Sequence, residues 1–175
     1  WSDLIPKGEA DLIISVEPLE ALRYLDHLRP DGAVVTSSPP FKNIPDYPEV
    51  ERVLEELRRA PRSVVVDSER LAREAGQVKA QNVVLLGAAA SCLILEEASL
   101  VRTIESLFRG RGPAVLEANL KAFELGKKAA LGSCRRPGPG PCGSSRRRSA
   151  TAGASFSSRK STRSSRRPAS RPRAA

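Results

Sequence analysis

Residues 10–25, ADLIISVEPLEALRYL, decide the fold. Leu12, Ile13, Ile14 and Val16 make an apolar run of the kind found in strands covered on both faces, as in parallel sheets. Pro18 then fixes a backbone angle suited to the first position of a helix, with Glu17 and Glu20 near its positive end. Leu19, Leu22, Leu25 and Leu28 give that helix an apolar stripe, and Arg29, Pro30, Asp31 and Gly32 predict its stop. Glu17 thus stands at the carboxyl end of a predicted central strand, the edge where ligands and partner subunits dock in open α/β sheets.

The same alternation continues outward. Ala33–Thr36 predicts a second strand, followed by a proline-rich loop, SSPPFKNIPDYP (37–48), that leaves it on the edge shared with Glu17. Ser37 and Ser38 belong to that edge too. Asp46 and Glu49 read as a capping box for a helix carrying Val50, Val53, Leu54 and Leu57, ended by Pro61. SVVVD (63–67) predicts a third strand. Strand, helix, strand, helix, strand with short links predicts an α/β domain: a mostly parallel sheet with helices on both faces. Beyond Asp67 the chain reads as helical, over 68–76, over a buried stretch 78–95, around Leu100–Gly110 and from Pro113 onward. No internal repeat occurs.

The formal charge of +9 is unevenly placed. Residues 133–175 hold twelve Lys and Arg and no acidic residue, leaving seventeen basic against twenty acidic in residues 1–132, a net of −3. The expected division is therefore an α/β domain over 1–132 and an Arg/Ser/Pro/Gly-rich tail over 133–175. The tail contains Phe156 as its one large apolar side chain, too little apolar surface to offset the entropy of ordering, and it is expected to be disordered. Two readings of it stay open: a basic arm for nucleic acid, or the Arg, Pro, Gly, Ala and Ser bias of GC-rich DNA translated out of frame. The abrupt change of composition after a well-formed helix favours the second.

No signal peptide is recognisable, and the longest apolar run, Val83–Leu95, is 13 residues, too short to span a bilayer. A cytoplasmic protein without membrane contact is the expectation. The absence of Met and the start at Trp1 predict a fragment or an incomplete reading frame.

Autonomous chemistry finds little support. His27 is the one histidine and falls on the polar side of the first helix, with no triad spacing around it. Cys92 lies inside an apolar run and is expected to pack as a small hydrophobe. Cys134 and Cys142 lack the paired spacing of zinc or cluster sites. GRGP (110–113) follows a helix rather than a strand, so it reads as a helix end rather than a phosphate loop. An autonomous nucleotide-binding domain is accordingly the weakest reading.

Four stretches carry a family likeness: LIPKGEADLIISVEPLEALRYLDHLRPDGAVVTSSPP (4–40), YPEVERVLEELRRA (47–60), SVVVDSERLAREAGQVKAQNVVLLGAAAS (63–91) and LEANLKAFELG (116–126). In this order they resemble the gamma subunit or domain of 2-oxoacid:ferredoxin oxidoreductases, most of all the beta subunits of its indolepyruvate-acting branch. The phrases GEADLIISVEPLEALRYL and NVVLLGA are the most specific.

The resemblance implies a Rossmann-like fold and a reaction in which an arylpyruvate such as indolepyruvate is oxidatively decarboxylated to an acyl-CoA, with electrons passing to ferredoxin. It implies that this chain holds no redox cofactor. Thiamine diphosphate, Mg2+, iron–sulfur clusters and coenzyme A are expected on a larger partner subunit. Glu17 and Glu20, from EPLEALR, and Asn82, from NVVLLGA, are the expected positions facing that partner or its site. The family's N-terminal strand and glycine-rich turn, which would precede Trp1, are missing, and the tail has no counterpart.

Overall fold

Strands β1 (Ala10–Ser15), β2 (Leu28–Ser37) and β3 (Arg62–Val66) lie side by side in that order, all parallel, in the computed structural model, which describes residues 4–40 and 46–133. Ile14 pairs with Val35 and Val35 with Val64, so one row of aliphatic side chains crosses the sheet. Because side chains alternate faces along a strand, Leu12, Val35, Val64 and Val66 enter one core while Ile13, Val34 and Val65 enter another.

Helices α1 (Pro18–Arg23) and α2 (Val50–Arg58) cover the second face through Ala21, Val53, Leu54 and Leu57. The first face carries α3 (Ser68–Glu74), α4 (Gln81–Ala89), α5 (Glu97–Phe108) and α6 (Pro113–Ser133), which meet around Val84, Leu85, Ile104 and the fully buried Phe123. Burying a side chain such as Phe123 contributes up to about 3 kcal/mol. Both faces of the sheet are covered, as the strand–helix alternation predicts.

Four boundaries differ from the sequence expectation. The leucine stripe does not carry one helix to residue 29: α1 ends at Arg23, Leu25–His27 tighten into a 3-10 turn, and Leu28 already opens β2. β2 starts five residues early because it bulges. Ala10 pairs with Leu28 but Leu12 with Ala33, and the extra residues include Pro30, which has no N–H to give a ladder. Arg29 secures the bulge between Asp11 and Asp31.

The capping box does not form either. α2 starts at Val50, and the Glu49 carboxylate lies 2.9 Å from the Arg52 guanidinium instead of on a cap. Finally, 78–95 is not one helix: Val78–Ala80 is a 3-10 turn, α4 ends at Ala89, and Ala90–Cys92 tighten into another turn. The breaks carry no glycine or proline, so no local sequence signal marks them.

β1 has no described strand on its outer side, and Ile14 and Val16 are about half exposed. No described helix is long and apolar enough to cross a membrane. Ser133 closes α6; the remainder of the basic tail, with Cys134 and Cys142, lies outside the described residues.

Candidate functional site

The carboxyl edge of the sheet gathers side chains from every strand–helix joint. At the first joint, the Ser15 hydroxyl donates to the Glu17 carbonyl at 2.7 Å and accepts from the Glu17 amide at 3.3 Å. This tight turn holds Glu17 in an extended conformation at the cap of α1. One carboxylate oxygen, Oε2, accepts from the Glu20 amide at 2.8 Å, satisfying a helix donor that Pro18 and the turn geometry leave open. The other, Oε1, accepts from the Tyr47 hydroxyl.

Tyr47 comes from the connection that leaves β2, thirty residues away in sequence. Its phenol is pushed above the ordinary value near 10, first by burial, then by the hydrogen bond to Glu17 and that carboxylate's charge. It therefore remains a proton donor to Glu17 throughout the neutral range.

The second and third joints are tied by a buried hydroxyl pair. Ser37 Oγ and Ser68 Oγ lie 2.6 Å apart with both residues almost fully buried, and Ser68 Oγ donates to Gln81 Oε1 at 3.4 Å. One chain of polar atoms thus links the end of β2, the start of α3 and the start of α4. The Ser38 amide extends the ladder by donating to the Val66 carbonyl at 2.8 Å. Asp67, expected as the acidic end of the third strand, accepts from the Arg70 amide at 2.9 Å and caps α3.

The three sequence-selected residues separate. Glu17 and Glu20 come together at the start of α1, where the Glu20 side chain turns outward to pair with Arg23 at 2.5 Å. Asn82 is exposed on the first turn of α4, the helix on the opposite face of the sheet, and no hydrogen bond among the described residues joins it to either carboxylate. Tyr47, Ser68 and Gln81 escaped the sequence reading. A tyrosine standing among prolines was the available signal for the first, since a half-buried phenol needs a polar partner.

Elsewhere, His27 lies on the surface with Nδ1 3.0 Å from the Ile5 carbonyl. Cys92 is half-buried rather than enclosed, and its sulfur accepts from the Arg62 guanidinium at 3.6 Å. An open groove of about 540 Å3 runs along one helix past Pro113, Leu116 and Leu120, with Glu117, Lys121 and Glu124 also lining it.

The family model described as pyruvate ferredoxin/flavodoxin oxidoreductase matches residues 1–129. The chain belongs to this family.

Among curated members, the indolepyruvate oxidoreductase subunit IorB of Pyrococcus horikoshii is 36% identical over 139 residues, covering 74% of this chain and 68% of that one. The subunit of the same name from Thermococcus kodakarensis is 35% identical over 141 residues, with 74% and 68% covered. That of Methanothermobacter thermautotrophicus is 34% identical over 139 residues, with 74% and 69% covered. The chain is thus homologous to subunits of oxidoreductase enzymes.

The fold is shared with a 2-oxoglutarate:ferredoxin oxidoreductase from Magnetococcus marinus, solved with 2-oxoglutarate, coenzyme A and succinyl-CoA bound. The TM-score is 0.53 at 23% identity, covering 75% of this chain and 22% of the larger one. This chain spans about a fifth of that enzyme's length.

The pyruvate ferredoxin/flavodoxin oxidoreductase family uses thiamine diphosphate and iron–sulfur clusters. The described residues do not fit the clusters. Clusters of this kind are held by several thiolates, whereas Cys92 is the one cysteine among the described residues and it faces an arginine. No group of three His, Cys, Asp or Glu side chains able to hold a metal ion comes together among the described residues.

Proposed function

We propose that this chain is the companion subunit of a thiamine-dependent 2-oxoacid:ferredoxin oxidoreductase, acting on an arylpyruvate such as indolepyruvate. The redox cofactors belong to a larger partner subunit, and this chain supplies one wall of the site. The overall reaction is oxidative decarboxylation of the oxo acid to an acyl-CoA, with two electrons passing to ferredoxin.

The observation that carries this reading is the likeness to several curated indolepyruvate oxidoreductase subunits over the whole α/β unit. The structure is in keeping with it. Among the described residues its carboxyl edge is ordered by hydrogen bonds within the chain. Among the described residues no strand pairs with the outer side of β1, and Ile14 and Val16 are about half exposed, features of the kind that further chain covers in a heteromer.

The experiment is a substrate profile on the chain reconstituted with a larger thiamine- and cluster-binding subunit. Ferredoxin reduction in the presence of coenzyme A is followed with indolepyruvate, phenylpyruvate, pyruvate and 2-oxoglutarate. Arylpyruvates are expected to give the highest kcat/KM. Preference for 2-oxoglutarate or pyruvate would move the assignment to another branch of the family, and no turnover with any oxo acid would refute it.

A further inference from the structure

We infer that Tyr47 is a positioning residue for the oxo-acid site: its hydroxyl, held by the Glu17 carboxylate, fixes residues 46–49 against the first turn of α1 and so sets the shape of the sheet's carboxyl edge. The inference rests on the proposed function for the identity of the substrate.

Glu17 joins two segments that sequence keeps thirty residues apart. Each of its oxygens accepts one hydrogen bond from within the chain, Oε2 from the Glu20 amide and Oε1 from the Tyr47 hydroxyl. A carboxylate occupied in this way is a poor choice for a base that must take a substrate proton, but a good clamp. The bond is charge-assisted, and such bonds are stronger than those between neutral groups. It is also sheltered, because both residues are partly buried.

Its geometry is reinforced from below. The Ser15 hydroxyl braces the Glu17 backbone on one side, and Pro18 restricts the chain on the other. Glu17 therefore has little freedom to follow Tyr47, and it is Tyr47 that is placed. Residues 46–49 lead straight into α2, so the bond also sets where that helix enters the fold.

Losing the bond lets residues 46–49 leave the arranged edge, and the apparent affinity for the oxo acid falls with the fraction of molecules that keep the arrangement. Such a loss raises KM and leaves kcat in place.

The test is Tyr47→Phe in the complex with the larger subunit, beside the wild type. Loss of a hydrogen bond to a charged group predicts a KM for the oxo acid raised roughly 10-fold. The same account expects kcat within about twofold and unaltered affinity between the subunits. Hydrogen–deuterium exchange on the same complex should accelerate in residues 46–49 and stay unchanged in β2 and β3.

Unchanged KM in an active complex overturns the inference alone. Loss of subunit affinity or of the fold in Tyr47→Phe also overturns it, because the bond would then be purely structural. A wild-type complex without oxo-acid turnover defeats the functional reading itself, and the positioning role with it.

Discussion

Gly126 of α6 lies against the backbone of Val84 in α4, so closely that a methyl group at Gly126 would come 1.9 Å from the Val84 carbonyl oxygen. The contact is reciprocal. A methyl at Gly87 would lie 2.1 Å from the Phe123 carbonyl oxygen. Backbone atoms on a packed helix cannot swing aside as a side chain end can, so either methyl would force the two helices apart.

Gly126→Ala is therefore expected to destabilise the fold by about 3 kcal/mol or more, through overpacking, despite alanine's better helix propensity of about 1 kcal/mol. Gly132→Ala in the same helix is the matched control. A methyl there meets nothing within 4 Å, so the change should be neutral or slightly stabilising. Urea midpoints of the two variants measure the contrast. Similar midpoints would contradict the packing described for α4 and α6.

Much of this arrangement was legible in the sequence, for identifiable reasons. The aliphatic runs at 12–14, 33–35 and 64–66 are strands because they are apolar on both faces, and both faces are covered. Pro18 and Pro113 open helices as the missing N–H allows.

What remained hidden was set by tertiary contact. The bulge at 29–32 depends on Asp11 reaching Arg29 across the strand pair. The failed capping box is the local exception, with Glu49 turning to Arg52 three residues on. At the candidate site, Glu17 was visible because a carboxylate at a strand–helix joint is conspicuous. Tyr47 and Ser68 were not, because Glu17 and Ser37, which they bond, lie thirty or more residues away. Asn82 was chosen by family likeness, and its exposed position on α4 leaves its part in the function to experiment.

The buried serine pair makes a second prediction. Ser68 touches both Ser37 and Gln81, whereas Ser37 makes its side-chain bond to Ser68 alone among the described residues. Ser68→Ala should therefore cost more than Ser37→Ala, each within about 1–3 kcal/mol. The double variant should cost less than the sum, since each single change strands the other hydroxyl. Additive losses in a double-mutant cycle would mean that the two hydroxyls are not coupled.

Tyr47 gives stability a dependence on alkaline pH. Its folded-state phenol titrates above the ordinary value near 10, raised chiefly by burial and then by Glu17. A raised pKa means that its contribution is fully present below pH 10 and is lost as pH climbs, because the unfolded chain releases the proton first. The stability difference between wild type and Tyr47→Phe should be constant from pH 7 to 9 and shift against the wild type above pH 10. Parallel profiles through pH 11 would show that the phenol is not held as described.

The central claim is that this chain finishes a site whose cofactors another polypeptide carries. Its most direct test is to titrate the purified chain into the larger thiamine- and cluster-binding subunit while following oxo-acid-dependent ferredoxin reduction. A rate that climbs and saturates at a fixed subunit ratio, with neither component active alone, is the predicted result. A larger subunit equally fast without this chain, or turnover by this chain by itself, would contradict it.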